Sequence, residues 1–265
     1  IKIIHFVAPT VWAWRKGRAK DFAKIYDKLF VILPFEAEYF MKHNLNTTYI
    51  GHPIYYINNH RKNNQIKYIA FLPGSREGEI LPLIKYFKIL SDYVYNINLN
   101  LKIFIPTLPH LKEKLIFLTK NWKFKPIFEV ESNKIEKMFS QTSFAVVCSG
   151  TASLEITKRN IPQLVVYKMN LFTELILHFF VYIKYANIIN IMANDMIIPE
   201  ITNSSLSKNT ILEGFKKLLM NYSNQNNKQI IGSKKFLNQL ILKDSPAKIA
   251  SKEIEKLFFP KPFKD

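Results

Sequence analysis

Short apolar runs alternate along the chain with longer segments in which apolar residues recur every three or four positions. The short runs are typical of buried strands, and the periodic segments are typical of helices. From residue 66 onward this alternation predicts one doubly wound α/β domain, because strands separated by helices form a parallel sheet. After a strand at Gln163–Tyr167 the pattern predicts helices alone to the end, the last near Ser245–Phe258 with Ser245 as its cap.

The predicted strands share an apolar centre and a polar or proline stop. They are residues 1–8, Leu29–Leu33, Thr48–Ile50, Tyr68–Leu72, Leu101–Ile105, Pro126–Val130, Phe144–Cys148 and Gln163–Tyr167. The predicted helices between them are Arg15–Tyr26, Glu36–His43, Ile80–Asn96, Leu111–Thr119, Ile135–Gln141 and Ala152–Arg159. A polar stretch rich in Lys and Asn, residues 58–66, has no apolar period and is the best candidate for a linker.

The stretch Leu171–Met192 is the most apolar of the chain, but Glu174, His178 and Lys184 interrupt it. A membrane-spanning helix needs about 20 largely uncharged residues, so we reject a span here. Its aromatic cluster, residues 179–183, is either a buried helix face or an interfacial membrane contact.

Charge is the most distinctive feature of the composition, with 38 Lys and Arg against 20 Asp and Glu, a net charge of +18. Such a balance favours an anionic partner: nucleic acid, a phosphorylated substrate or an acidic membrane surface. A solvated coat of lysines is the alternative, since only five of the basic residues are Arg. No nucleic-acid motif accompanies the charge, and we expect no nucleic-acid partner.

Two strand-to-helix loops carry candidate chemistry. In Leu72–Arg76, glycine lets the backbone approach a ligand, serine supplies a hydroxyl and Arg76 supplies a fork for phosphate. Ser149-Gly150-Thr151 repeats the design at a second strand-to-helix turn, after the predicted strand Phe144–Cys148, and Glu155, one helical turn later, suits a ribose diol. The alternatives are an ordinary turn at the first loop, and a helix cap by Ser149 with an exposed Glu155 at the second.

Combined with other segments, these loops resemble the lipid-A-disaccharide synthases, inverting glycosyltransferases of the two-Rossmann (GT-B) architecture. The segments that carry the resemblance occur in the family's order: Ala8–Arg15, Leu33–Glu36, Ile50–Pro53, Leu72–Ile80, Ser149–Glu155 and Pro162–Lys168. The resemblance implies an α/β fold with one complete Rossmann-like domain and the C-terminal part of a preceding one. Its implied organisation is a remnant acceptor domain (1–57), a linker (58–66), a UDP-sugar-binding domain (67–240) and a helical segment packing back toward the N-terminal part (241–265).

The implied reaction joins UDP-2,3-diacylglucosamine to 2,3-diacylglucosamine 1-phosphate (lipid X), forming the β-1,6-linked disaccharide and releasing UDP. The implied setting is peripheral, at the anionic cytoplasmic face of the inner membrane, with a possible homodimer. No cofactor and no metal are implied. A UDP-sugar epimerase of the same architecture is the alternative enzyme, and it would need an acid/base pair in the cleft.

By matched position, the donor-binding residues are Gly74, Ser75, Arg76, Ser149, Gly150, Thr151, Glu155 and Asn190. Arg76 would also stabilise the departing UDP, because positive charge offsets the negative charge that develops there. Trp12, Trp14 and Arg15 are candidates for the acceptor side, with a packed corner as the alternative.

The chain also departs from the family pattern. It has Ile189 where proline is usual, Asn194 where glycine is usual and Asp195 where arginine is usual. It begins at Ile1 in mid-strand, so we expect a truncated chain whose acceptor half is incomplete. The resemblance implies that the missing part carries the general base, so we expect this chain alone to lack transferase activity. Glu36 and His52 are the nearest candidates for a base, with a structural role favoured for each.

Overall fold

A computed structural model of the protein describes residues 1–58, 66–98, 100–168, 184–221 and 228–258. Contacts divide the chain into two units. Unit 1 comprises Ile1–Ile57 with the described part of Lys235–Asp265, and unit 2 comprises the described residues between 58 and 234. Most of the predicted linker, and residues 171–183 of the apolar stretch, lie outside the described residues.

Unit 1 contains a parallel three-stranded sheet with the strand order β1-β2-β3. Its elements are β1 (Ile4–Phe6), α1 (Arg18–Ile25), β2 (Lys28–Val31), α2 (Ala37–Met41), β3 (Asn46–Tyr49) and a 3-10 turn (Pro53–Tyr56). All four residues of the central strand β2 are buried, because both faces of the sheet are covered. Leu29 and Val31 pack with Phe40 on one face, and Phe30 packs with Ile50 and Ala250 on the other.

Unit 2 contains a six-stranded parallel sheet with the order β6-β5-β4-β7-β8-β9. The strands are β4 (Tyr68–Leu72), β5 (Lys102–Pro106), β6 (Ile127–Glu129), β7 (Thr142–Cys148), β8 (Gln163–Tyr167) and β9 (Glu200–Thr202). The helices are α3 (Glu77–Asn96), α4 (Pro109–Leu118), α5 (Ser132–Ser140), α6 (Thr151–Lys158), α7 (Ile188–Ala193) and α8 (Lys208–Asn221). Two helices follow, α9 (Lys228–Leu240) and α10 (Pro246–Phe258), with the boundary between the units inside α9.

The large sheet separates two buried clusters, one packed on each of its faces. Ile69 and Phe71 of β4 face one cluster, whereas Ala70 between them faces the other. Successive side chains of a strand point to opposite faces, so a strand buried on both faces is a continuous apolar run. This explains why β4 and β8 lie where the sequence pattern predicts them.

The prediction that helices alone follow β8 is wrong, because β9 adds a strand at the edge of the sheet. Three residues that begin with a glutamate give no apolar alternation to detect. Helix α3 begins three residues before the predicted start, because its first turn, Glu77-Gly78-Glu79, is polar. The predicted cap of α10 is confirmed, since Ser245 Oγ accepts a hydrogen bond from the Lys248 amide at 3.3 Å.

The strand order places both candidate loops at one point. Strand β4 lies between β5 and β7, and Leu72 pairs with Val147 at the carboxyl ends of β4 and β7. From β4 the strands continue in chain order toward one edge as β5 and β6, and toward the other edge as β7, β8 and β9. Ligands of open α/β sheets bind outside the carboxyl ends of the strands at such a switch point. No helix among the described residues is long and apolar enough to cross a membrane.

Candidate functional site

The loop after β4 brings the backbone close to whatever occupies the crevice. Gly74 has φ +125°, a conformation that side-chain-bearing residues rarely adopt. A Cβ atom at this position would lie 2.6 Å from Cβ of Glu79. Glycine is therefore required by the backbone conformation and by the close approach of a neighbour.

Arg76 is the most exposed charged group of this loop, with 81% of its side chain accessible. It precedes α3, whose N-terminal amides and dipole favour an anion. Its Nη1 donates to Oε1 of Glu79 at 3.2 Å, and the Ser75 amide donates to Oε2 of the same carboxylate at 2.9 Å. The three predicted residues of the loop are thus brought together, with the Glu79 carboxylate among them.

The second loop follows β7 and has a similar form. Gly150 has φ +147° and precedes α6, and both Gly150 and Thr151 are exposed. The Ser149 hydroxyl donates to the Ala186 carbonyl at 2.7 Å, and its amide donates to the Val166 carbonyl at 3.1 Å. A cap of α6 by Ser149 is therefore wrong, because no side chain caps this helix. Ser149 instead ties the loop to the segment before α7.

A buried polar network supports this second loop from behind. The Ser153 hydroxyl donates to the Gly150 carbonyl at 3.1 Å and accepts from Nδ2 of Asn187 at 2.8 Å. Asn187 is fully buried and its Oδ1 accepts from the amides of Ile189 and Asn190, which caps α7. Glu200 accepts from the amides of Ala186 and Asn187 at 3.0 and 2.9 Å. The network fixes the position of α7 relative to α6.

Asn190 belongs to this network rather than to an accessible surface. It is fully buried, its Nδ2 donates to the Ile198 carbonyl at 2.7 Å and to Glu200 at 3.2 Å, and its Oδ1 accepts from the Ile198 amide at 2.9 Å. These contacts do not support a direct donor contact by the Asn190 side chain, because its polar atoms are already paired inside the protein. The side chain of Asn190 is part of the network that holds α7, and its assignment to the donor stays a prediction.

Glu155 lies on α6 one turn after Thr151, with its side chain 44% exposed. Its carboxylate lies 3.5 Å from Nη1 of Arg159, which also pairs with Glu136. Partial burial raises the pKa of Glu155, and Arg159 opposes this rise. The assignment of Glu155 to a ribose stays a prediction.

The two candidates for a base, Glu36 and His52, form hydrogen bonds to neighbouring residues of unit 1. Glu36 accepts from Trp12 Nε1 at 3.2 Å and from the Leu33 amide at 3.0 Å, and burial raises its pKa. His52 accepts from the Ile54 amide through Nδ1 at 3.1 Å, and burial lowers its pKa to about 4. Both arrangements agree with structural roles.

Trp12, predicted for the acceptor side, is 8% exposed and packs edge-on against Phe35. Its side chain therefore belongs to the interior of unit 1, as the packed-corner alternative holds. Trp14 and Arg15 differ, because the exposed Arg15 guanidinium lies 4.4 Å above the Trp14 ring. Their assignment to an acceptor stays a prediction.

Sequence reasoning missed Glu79, Ser153 and Asn187. Signals for two of them were present, since Glu79 is the third residue of α3 and Asn187 directly precedes α7. Acidic residues at the third helical position, and asparagine before a helix, are recognised capping choices. The partner of Ser153 could not be read from the sequence, because it is 34 positions away.

The single cysteine of the chain, Cys148, lies buried at the end of β7, beside the switch point. Burial, and then the Glu79 carboxylate, raise the pKa of the Cys148 thiol to about 12, so the thiolate that would be nucleophilic does not form near neutral pH. Within the described ranges no group of three or more His, Cys, Asp or Glu side chains could hold a metal ion.

The family model described as lipid-A-disaccharide synthetase matches residues 1–254. The chain is 39% identical to the lipid-A-disaccharide synthase of Rickettsia typhi, over 97% of this chain and 70% of that protein. It is 36% identical to the synthase of Rickettsia prowazekii, with the same two coverages.

Solved structures with the same fold include S. aureus MnaA with UDP, which has a TM-score of 0.59, 14% identity and coverage of 100% of this chain and 72% of that one. The pneumococcal O-GlcNAc transferase GtfA with UDP and GlcNAc has a TM-score of 0.54, 14% identity and coverages of 92% and 47%. A putative UDP-N-acetylglucosamine 2-epimerase from Listeria monocytogenes also has a TM-score of 0.54, at 13% identity and coverages of 89% and 61%.

The fold alone therefore does not separate transferases from epimerases, because both occur among its structural neighbours. The family model and the curated relatives do separate them, and they favour the transferase. The fold is the predicted GT-B type, and the chain belongs to the lipid-A-disaccharide synthetase family of glycosyltransferases.

Proposed function

We propose that the protein functions in lipid A biosynthesis, with UDP-2,3-diacylglucosamine bound by unit 2 and lipid X as the acceptor. The observation that carries the proposal is the loop Gly74–Arg76 at the switch point of the sheet, in a chain that the family model matches over residues 1–254. Relatives named lipid-A-disaccharide synthase support the reaction.

In this proposal the loop holds the diphosphate. The backbone at Gly74 and Ser75 approaches it closely, and Arg76 forms charge-assisted bonds to its oxygens. Gly150 and Thr151, both exposed at the N-terminus of α6, are the proposed contacts on the other side of the switch point. Glu155 is the proposed partner of the ribose, and the network of Asn187, Asn190 and Glu200 holds α7 in place behind the loop.

Chemically, the acceptor 6-hydroxyl attacks the anomeric carbon while the bond from that carbon to the diphosphate breaks on the opposite face. The leaving UDP gains negative charge, which Arg76 and the amides at the starts of α3 and α6 stabilise. A base must remove the proton of the attacking hydroxyl, and we assign that base to none of the described residues.

The net charge of +18 supports a site of action at an anionic membrane face. The cytoplasmic location and the homodimer stay predictions of the family resemblance.

The donor site is tested by titrating UDP into the chain and its Arg76→Ala variant. We expect Ala to weaken UDP binding by at least about tenfold, because it removes the only guanidinium of the loop and its charge-assisted bonds. Lys102→Ala is the matched control, since it removes one exposed positive charge at the amino end of β5. Equal UDP affinity in Arg76→Ala and the parent chain would refute the site.

A further inference from the structure

We propose that Glu79 is a built-in anion that occupies the diphosphate site when no ligand is bound, and that it thereby lowers the affinity for the donor. The inference rests on the proposed function, because it concerns the same loop. It adds a residue that sets donor affinity without belonging to the predicted contacts.

The two donors that Glu79 holds are those assigned to the diphosphate. Its Oε2 accepts from the Ser75 amide at 2.9 Å, and its Oε1 accepts from Arg76 Nη1 at 3.2 Å. A carboxylate and a phosphate present similar anionic oxygens to such donors. The Ser75 amide has a single hydrogen that cannot point fully at both anions, so a diphosphate bound there must displace the carboxylate. Arg76 has further N–H groups, and Glu79 competes for it through its charge.

The position of Glu79 above Gly74 supports the same conclusion. A Cβ atom at residue 74 would lie 2.7 Å from Oε2 of Glu79 as well as 2.6 Å from its Cβ. The space made available by the absent side chain is therefore filled by Glu79. In a phosphate-binding loop, the space left by a glycine side chain is where the ligand approaches the backbone.

The charge of Glu79 also acts beyond its own loop. After burial, which is the larger cause, it contributes to the raised pKa of Cys148, at the end of β7, and of Tyr167, at the end of the next strand, β8. An anion at this position is therefore felt at the carboxyl ends of β7 and β8.

A simple helix-capping role is the alternative interpretation. Glu79 is the third residue of α3, where an acidic side chain commonly reaches back to an amide before the helix. A cap does not require the second bond to the Arg76 guanidinium. Glutamine keeps an acceptor for the Ser75 amide but removes the charge, so Glu79→Gln separates the two roles.

The experiment titrates UDP, inorganic pyrophosphate and uridine into the parent chain, Glu79→Gln and Glu77→Gln. We expect Glu79→Gln to bind UDP and pyrophosphate about three- to tenfold more tightly, because a competing anion and its repulsion are removed. Uridine has no phosphate, so it should bind the parent chain and Glu79→Gln equally. Glu77→Gln removes a charge from the same turn, where Glu77 pairs with Lys114, and should stay within about twofold of the parent.

Equal or weaker UDP binding by Glu79→Gln would overturn the proposal and leave Glu79 as a cap. A similar gain for uridine would also overturn it, because the effect would then not concern the phosphates. If glutamine prevents folding, Glu79→Ala carries the same expectation. If the parent chain fails to bind UDP, the donor site itself is refuted and the inference falls with it.

Discussion

His52 illustrates how a chemically suggestive residue serves local structure instead. Its Nδ1 accepts from the Ile54 amide, so the neutral ring caps the 3-10 turn that begins at Pro53. Only 4% of the residue is exposed, and protonation would put a charge in that place. The histidine is therefore kept neutral, which gives unit 1 a dependence on pH.

We expect His52 to reduce the stability of unit 1 in mild acid. Because burial lowers its pKa from 6.5 to about 4, the unfolded chain binds the proton more tightly than the folded one. The stabilisation is complete above pH 6.5 and is lost as the pH falls from there toward 4, up to about 3 kcal/mol in all. Unfolding free energies from urea denaturation at a series of pH values in this range measure it.

His52→Asn is the matched comparison, since an asparagine oxygen can still accept from the Ile54 amide. The variant should lose stability less steeply than the parent below pH 6.5. Parallel curves for the two chains would show that His52 does not titrate in this range.

Single residues also show why two departures from the family pattern have different meanings. Asn194 stands where the family resemblance leads us to expect glycine, and its φ is +51° at the end of α7. Asparagine tolerates this left-handed conformation, so the backbone is preserved. Asp195, in place of the expected arginine, is exposed and accepts from the Met196 amide at 2.8 Å. The charge at that position is reversed relative to the expected arginine, and no Lys or Arg within the described ranges forms an ion pair with Asp195.

At the scale of elements, α7 depends on contacts from outside the helix. It has only six residues, and short helices are marginal without capping and tertiary packing. Asn187 supplies a cap, through its Oδ1, and a tertiary contact, through the hydrogen bond from its Nδ2 to Ser153 on α6.

Asn187→Ala should lower the free energy of unfolding by about 2 kcal/mol, because it removes a cap and unpairs buried groups. Thermal or urea denaturation measures the change. Asn194→Gly, at the exposed opposite end of the helix, is the control and should be close to neutral. A similar loss in both variants would show that the network adds nothing beyond helix propensity.

Sequence patterns predicted best the strands that are buried on both faces of the sheet. Strands β4 and β8 are buried runs between helices, and their predicted and observed bounds coincide. Strand β9 escaped detection because its first residue, Glu200, carries a carboxylate that binds the segment before α7. The loops of the site were recognised from glycine, serine and arginine. The partners of these residues were not, because Ser149 contacts Ala186 from 37 positions away.

On the scale of the whole molecule, unit 1 is held together by residues far apart in the chain. Lys28 of β2 is 4% exposed and its Nζ contacts Asn46, Thr48 and Glu253 at 2.8, 2.7 and 3.2 Å. Glu253 lies on α10, 225 positions later. The C-terminal helix thereby neutralises a buried ammonium group at the centre of the small sheet.

Glu253→Gln should destabilise unit 1 by about 1–3 kcal/mol, because it leaves a buried cation without its counter-charge. Amide hydrogen exchange in β2 reports the loss locally. Glu255→Gln, an exposed position on the same helix, should leave that exchange unchanged. Unchanged exchange in both variants would show that Asn46 and Thr48 are sufficient partners for Lys28.

The discontinuous composition of unit 1 has a consequence for the order in which the molecule assembles during translation. Phe30 is covered by Ala250, which the ribosome adds 220 residues later. At about 5–20 residues per second this interval lasts roughly 10–45 s. All strands of the large sheet are synthesised in this interval. We therefore expect unit 2 to fold first, before Ala250 covers the apolar face of the small sheet. The core on this face of the small sheet is therefore completed only when α10 leaves the ribosome.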